Sequence, residues 1–397
     1  MKRWARILLT LTSTVLSLAV AEIGLRVFLP SKRPVYQLEG RYLYKPTPNA
    51  SRILRRSPID GGEKIVVRFN SFGFRGEEFS NPPSHKRIVV YGDSFIEADA
   101  SQLDNTFAKK LEKELAVEVI NAGVIGYGPD QVALRMESEL DSMRPDLVIT
   151  SIYVGNDYGD LLRNKLYRLD SNGRLYEAPH VLGASIYEQF KAPSRIQLYE
   201  KTKNLLARFW EQPQPNINLG QEEEPGPSEF PDFCLREAKK QYEDYGNNEI
   251  HNLRDIYDAD ISLSPTSASA RLKIQLMEQT LLHIKEIAET HHTPILILII
   301  PAAIDSCHDY EVKIDTTAHP EYSASRLTDI LESIVEKNGI RHVNLFEPFK
   351  ASKVPLYFHY PNDHWNDEAQ ELAAHAVAGL VLSGDLLLQS EGSQKSR

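Results

Sequence analysis

The sequence predicts an α/β domain built on a five-stranded parallel sheet with helices over both faces. Three observations lead there. Short apolar, β-branched runs, too short for helices, alternate with stretches of helical spacing. Such alternation builds βαβ units, whose crossovers force the strands parallel and cover both faces of the sheet. The 397 residues, 42% hydrophobic and 25% charged, suffice for one large domain with insertions.

The elements follow in order. Lys2, Arg3 and Arg6 precede an apolar run from Ile7 to Ala21, and a further stretch reaches Leu29 past Glu22. Positive charge before an apolar run reads as a secretory signal or signal anchor. Ala19-Val20-Ala21 resembles a cleavage site, which would make the protein secreted. Arg26, Lys32 and Arg33 lie beyond the run, so charge gives no clean orientation. The preferred reading is an uncleaved membrane anchor over residues 1–30, with the rest of the chain extracytoplasmic. Residues 31–86 read as a stalk with short strands such as Lys64–Phe69. The regular part then begins, with strands expected at Arg87–Tyr91, Val117–Ile120, Leu147–Tyr153, Pro294–Ile300 and His342–Phe346. Helices are expected at Thr106–Leu115, Pro129–Met143, Ser267–Thr290, Glu321–Lys337 and Asp367–Leu382. Between the third strand and the long helix, about 158–264, lies a Tyr-, Arg-, Asn- and Pro-rich insertion. It includes an expected helix near 192–210 and a polar loop at 212–231. The main domain spans 31–385, and 386–397 is expected to be a flexible tail.

Composition narrows the function classes. A formal net charge of −10 without a basic stripe argues against nucleic acid as a partner. Two cysteines, Cys234 and Cys307, exclude a multi-cysteine zinc site; sequence leaves open whether they pair.

In open α/β sheets, sites form at the carboxyl ends of strands. The first strand is followed by Gly92-Asp93-Ser94-Phe95 and the second by Asn121-Ala122-Gly123-Val124-Ile125-Gly126. The third is followed by Gly155-Asn156-Asp157, and Asn362-Asp363-His364-Trp365 precedes the last helix. Ser94 sits on a tight strand-to-helix turn that exposes a hydroxyl. Asn156 offers side-chain N–H donors to an oxyanion, and His364 has the chemistry to shuttle the Ser94 proton.

These four blocks, in this order, resemble the SGNH (GDSL-like) hydrolases over roughly residues 64–385. Asn70-Ser71-Phe72-Gly73-Phe74-Arg75-Gly76 is similar to the lead-in of membrane-anchored bacterial members. The resemblance implies a flavodoxin-like three-layer α/β/α sandwich with no metal and no organic cofactor. It implies Ser94 as nucleophile, His364 as base, and Ser94 N–H, Gly126 and Asn156 as the oxyanion hole. Members of the family usually carry a His-orienting Asp two or three residues before the His; here Asn362 and Pro361 stand there. Three readings follow, in order of preference: Asp363 orients His364 through a local turn; Asn362 or a backbone carbonyl does so, giving a dyad; or the site is weakened. The expected function is a serine esterase acting on acyl or acetyl esters. The alternatives are O-acyl transfer or deacetylation on a cell-surface polysaccharide, and a non-catalytic binding module.

Other features read more plainly. Asp93 shapes its turn, Asp157 holds its loop, Gly123 and Gly128 serve turn geometry, Trp365 packs, and Asn366 caps the last helix. His283, His291 and His292 read as a solvated helix end. Cys307-His308-Asp309 reads as a loop at the edge of the site, and Glu222-Glu223-Glu224 as a solvated run.

Overall fold

The computed structural model describes residues 2–28, 34–191, 198–199, 202 and 225–387. Five parallel strands form the central sheet: β1 (Arg87–Gly92), β2 (Glu118–Gly123), β3 (Leu147–Tyr153), β4 (Ile295–Ile300) and β5 (Arg341–Asn344). Their spatial order is β2-β1-β3-β4-β5, the doubly wound order of flavodoxin-like sheets. In this register Val90 pairs with Asn121 on one side and Ile149 on the other. Every residue of β1 and β3 is buried, as a sheet covered on both faces requires.

The covering helices are α1 (Phe107–Leu115), α2 (Pro129–Met143), α3 (Asp157–Asn164), α4 (Phe230–Asp244), α5 (Ala268–Thr290), α6 (Arg326–Lys337) and α7 (Asp367–Ser383). One layer is α1 packed on α7; in the other, α2, α3 and α6 pack around α5. Local chemistry sets their ends. The side chains of Thr106, Ser267 and Asn366 each accept the N–H three residues on, capping α1, α5 and α7. Pro129 occupies the first turn of α2, where its missing N–H costs nothing.

Two boundaries differ from expectation. Helix α6 begins at Arg326, five residues late, because 321–325 form turns. The fifth strand stops at Asn344, whose side chain accepts the Phe346 N–H, and Phe346–Lys350 is a short helix. The larger correction concerns residues 34–69, which are not a stalk. They form two hairpins, Tyr36–Glu39 with Leu43–Pro46 and Ser51–Arg55 with Lys64–Arg68. Tyr42, Leu43 and Tyr44 are buried in the main core, where Tyr44 stacks on Phe190 at 4.4 Å. Aromatics scattered through a polar stretch carry no readable period, so only tertiary packing shows their use.

The insertion returns repeatedly to the core. Helix α3 is buried throughout, and Val181–Leu182 pairs with Glu249–Ile250. Most of the helix expected at 192–210, part of the 212–231 loop and the run 222–224 lie outside the described residues. So does most of the expected tail, although Leu386 is buried. Cys234 and Cys307 do not form a disulfide. At the N-terminus, Lys2–Phe28 forms one helix that is long and apolar enough to cross a membrane, with none of its apolar window buried against the rest of the described chain.

One buried carboxyl gives a pH prediction. Asp130, in the first turn of α2, is fully buried; one oxygen accepts from Asn164 Nδ2 and Gln131 N–H, and the other has no partner among the described residues. Burial pushes it up to about 6, against the opposing pull of those hydrogen bonds. The folded chain therefore holds a proton that the unfolded chain releases near pH 4. This contribution to stability is full below pH 4 and is lost as pH rises through about 6. Asp130→Asn should therefore gain about 3 kcal/mol relative to wild type between pH 4 and 8. Chemical denaturation at both pH values checks it; a difference that stays constant would mean that Asp130 stays ionised throughout.

Candidate active site

The crevice lies at the carboxyl edge of the sheet, where the connections from β1 and β3 diverge, as expected for doubly wound sheets. Ser94 opens a single helical turn, Ser94–Glu97, directly after β1. Asp93 accepts the Phe95 N–H at 2.9 Å and so shapes this turn. Burial pushes the Asp93 carboxyl up to about 6, although the Phe95 N–H and the nearby His364 favour its charged form. His364 is 270 residues away in sequence, yet its Nε2 lies 2.7 Å from Ser94 Oγ. Its ring stacks on Phe95 at 4.9 Å, and Phe95 in turn stacks on Tyr153 at 3.9 Å. Trp365 is 1% exposed and donates its indole N–H to the Phe95 carbonyl. It packs, as expected, and it also ties the His364 segment to the serine turn.

Two side chains lie close enough to orient the imidazole. Asn362 Oδ1 lies 2.9 Å from His364 Nδ1 and also accepts the His364 backbone N–H at 3.1 Å. Asp363 Oδ1 is farther from Nδ1, at 3.4 Å, and its other oxygen accepts the Tyr153 hydroxyl at 3.1 Å. Asn362 is therefore the nearer partner, and Asp363 flanks the ring while held by Tyr153. The turn that places Asn362 is closed by its N–H on the His359 carbonyl.

The donors expected for an oxyanion come from the second and third loops. Asn156 lines the same cleft as Ser94 and His364. Its side chain does not cap α3, which it precedes, and its Oδ1 has no hydrogen-bond partner among the described residues. Asp157 behind it accepts the Tyr153 N–H at 2.7 Å and so holds the loop. Burial raises the Asp157 carboxyl well above the usual range, and the charges of Asp93 and Asp160 push it the same way. Gly126 has φ +72°, and a Cβ there would lie 2.8 Å from the Tyr44 hydroxyl. That hydroxyl bonds the Ile125 carbonyl at 2.6 Å, so the planar peptide turns the Gly126 N–H away from Tyr44. The Gly126 carbonyl accepts from Arg163. Gly123 does not serve a turn: a Cβ there would sit 2.2 Å from Glu97 N, so the second loop and the serine turn touch backbone to backbone.

The cleft holds about 160 Å³. The insertion supplies Phe230, Phe233, Cys234 and Arg254–Tyr257; Tyr310 and Tyr360 also line the cleft, Tyr360 edge-on to Phe230. Sequence reading missed Tyr153, Tyr310, Tyr360 and Arg254, because an aromatic or a single Arg in an irregular stretch has no local signal of its destination. Cys307, His308 and Asp309 line a separate cavity with Tyr357 and are not among the residues lining the cleft. His283 on α5 and His291, which caps its end, diverge, His283 to Glu137 and His291 to the Ile287 carbonyl.

The chain matches no protein-family model and no curated protein. Among solved structures, it is similar to an acetyl xylan esterase (13% identity, 74% of this chain and 99% of that one, TM-score 0.36). It is also similar to a catalytic mutant of an acetylxylan esterase from Geobacillus stearothermophilus (10%, 74% and 92%, 0.38) and to a GDSL-like lipase from Bacteroides thetaiotaomicron VPI-5482 (10%, 75% and 89%, 0.35). At these values the chemistry of the site rests on its own geometry.

Proposed function

We propose that the chain is a serine hydrolase of carboxylic esters, carried by the 2.7 Å contact between Ser94 Oγ and His364 Nε2. For Nε2 to accept the Ser94 proton, Nδ1 must carry the other proton, which it donates to Asn362 Oδ1. Ser94 Oγ attacks the acyl carbon as its proton passes to Nε2. The oxyanion is held by the Ser94 N–H, the Gly126 N–H and the Asn156 amide. The protonated imidazole gives its proton to the departing alkoxide, and the acyl group stays on Oγ. Water, deprotonated by the same nitrogen, then releases the acid and restores Ser94. The helix at Lys2–Phe28 anchors the protein with this domain on the extracytoplasmic side; protease accessibility in sealed cells tests that topology. The test of activity is hydrolysis of p-nitrophenyl acetate and butyrate by the detergent-solubilised full chain, with a fluorophosphonate probe reporting acylation of Ser94. No turnover and no labelling would sink the reading.

Acyl transfer to a glycan hydroxyl is the second reading, favoured by one observation. A cavity of about 380 Å³ adjoins the cleft and shares Arg254 and Ile256 with it, more room than water needs as an acceptor. An acylated product that forms only with a saccharide present would select it.

The His364 partner gives a sharp prediction. A neutral amide stabilises an imidazolium less than a carboxylate does. Asn362→Asp should raise kcat about tenfold, and Asn362→Ala should lower it roughly 10- to 100-fold. Asp363→Asn should stay within about threefold. A larger loss from Asp363→Asn than from Asn362→Ala would make Asp363 the orienting group.

A further inference from the structure

The lead-in motif Asn70–Gly76 is unused by the chemistry above, yet it ends against the back of the nucleophile. Asn70 Oδ1 accepts the N–H groups of Phe72 and Phe74, both at 3.0 Å, and Gly73 has φ +85°. The result is a tight loop that delivers Arg75 to the interior, where it is 4% exposed. Its backbone N–H bonds the Asn121 carbonyl of β2 at 3.2 Å. Its guanidinium donates to the carbonyls of Glu97 and Ala98 through Nη1, and to that of Ser101 through Nη2 at 2.6 Å.

The Glu97 and Ala98 carbonyls close the turn that carries Ser94, and Ser101 lies three residues beyond it. One helical turn cannot satisfy its own carbonyls, and this one ends abruptly at Ala98, with φ +54°. The Phe95 carbonyl is taken by Trp365, the Ile96 carbonyl by Asn121 Nδ2 at 2.6 Å, and those of Glu97 and Ala98 by Arg75. Each outside donor comes from a different sequence block, and Arg75 alone holds more than one carbonyl. Burying a cation is costly without compensation. Burial lowers this guanidinium to about 10, which leaves it charged at neutral pH. A planar fork also matches several carbonyl acceptors in a way that an ammonium does not.

We infer that Arg75 is a positioning residue: it clamps the carbonyl end of the Ser94 turn to β2 and thereby holds Ser94 Oγ at the distance at which His364 accepts its proton. This rests on Ser94 being the nucleophile. The test measures fluorophosphonate labelling rate, kcat and KM for wild type, Arg75→Lys and Arg75→Gln in the full chain, each corrected for its folded fraction. The expected result is labelling slowed at least tenfold in Arg75→Gln and less in Arg75→Lys, with kcat falling in parallel and KM within twofold. Unchanged labelling in folded variants would overturn the role of Arg75 while leaving Ser94 intact. Global unfolding of both variants would overturn it as well, by making Arg75 a support of the whole fold. An unreactive wild type would remove the nucleophile and the role together.

Discussion

Replacing Ser94 with alanine should lower ester turnover by at least about 10³-fold while leaving the fold and thermal stability nearly unchanged. The hydroxyl is 2.7 Å from His364 Nε2 and, among the described residues, makes no bond within the turn. The turn is held instead by Asp93, Trp365, Asn121 and Arg75. Removing one oxygen therefore removes the nucleophile and little else. The residual rate would come from the oxyanion donors and from binding alone. The measurement is p-nitrophenyl acetate hydrolysis with a matched fluorophosphonate label. His364→Ala should give a comparable loss, and the double variant should be no worse than either single one, because the two groups act as one unit. Equal rates in wild type and Ser94→Ala would show that turnover comes from elsewhere. The fold would then be serving binding, or a transfer reaction lacking its acceptor.

Gly123→Ala should cost about 100-fold by a different route. The new Cβ would sit 2.2 Å from Glu97 N and 2.6 Å from the Ile96 carbonyl carbon, both backbone atoms that no side-chain rotation can move. The serine turn must retreat from the second loop. A displacement near 1 Å at a reacting atom costs roughly 100-fold in rate, and overpacking of this kind costs about 1–3 kcal/mol in stability. Gly379, on the exposed face of α7, is the control, since nothing lies within 4 Å of a Cβ built there. Gly379→Ala should stabilise the chain by about 1 kcal/mol and leave kcat alone. If Gly123→Ala kept full activity, the two loops would have to be able to separate without moving Ser94 Oγ.

The parallel sheet was legible because its strands are buried on both faces. Runs such as RIVVY and LVITSIY follow from local composition without knowledge of their neighbours. Helices were legible from their spacing, and Asn366 as a cap because its side chain bonds an N–H only three residues on; Thr106 and Ser267, read as first helical residues, are caps as well. Ser94 could be nominated from its strand-end turn and His364 from the block before the last helix, but their 2.7 Å approach spans 270 residues and belongs to the fold. The choice between Asn362 and Asp363 could not be read either. Neighbouring side chains diverge in extended backbone, and only the turn closed on His359 sets Asn362 at 2.9 Å and Asp363 at 3.4 Å. Gly123 was misread as a turn residue, since close approach and turn geometry call for the same residue type. By itself, then, the sequence determined the five strands of the central sheet, five of its seven covering helices and the reactive residue types, all set by interactions within a few residues; α3 and α4 lie in the stretch read as an irregular insertion. Only the tertiary structure decided which of those residues meet, what orients the imidazole and what lines the cleft. Those contacts join segments far apart in the chain, where local propensity carries no information.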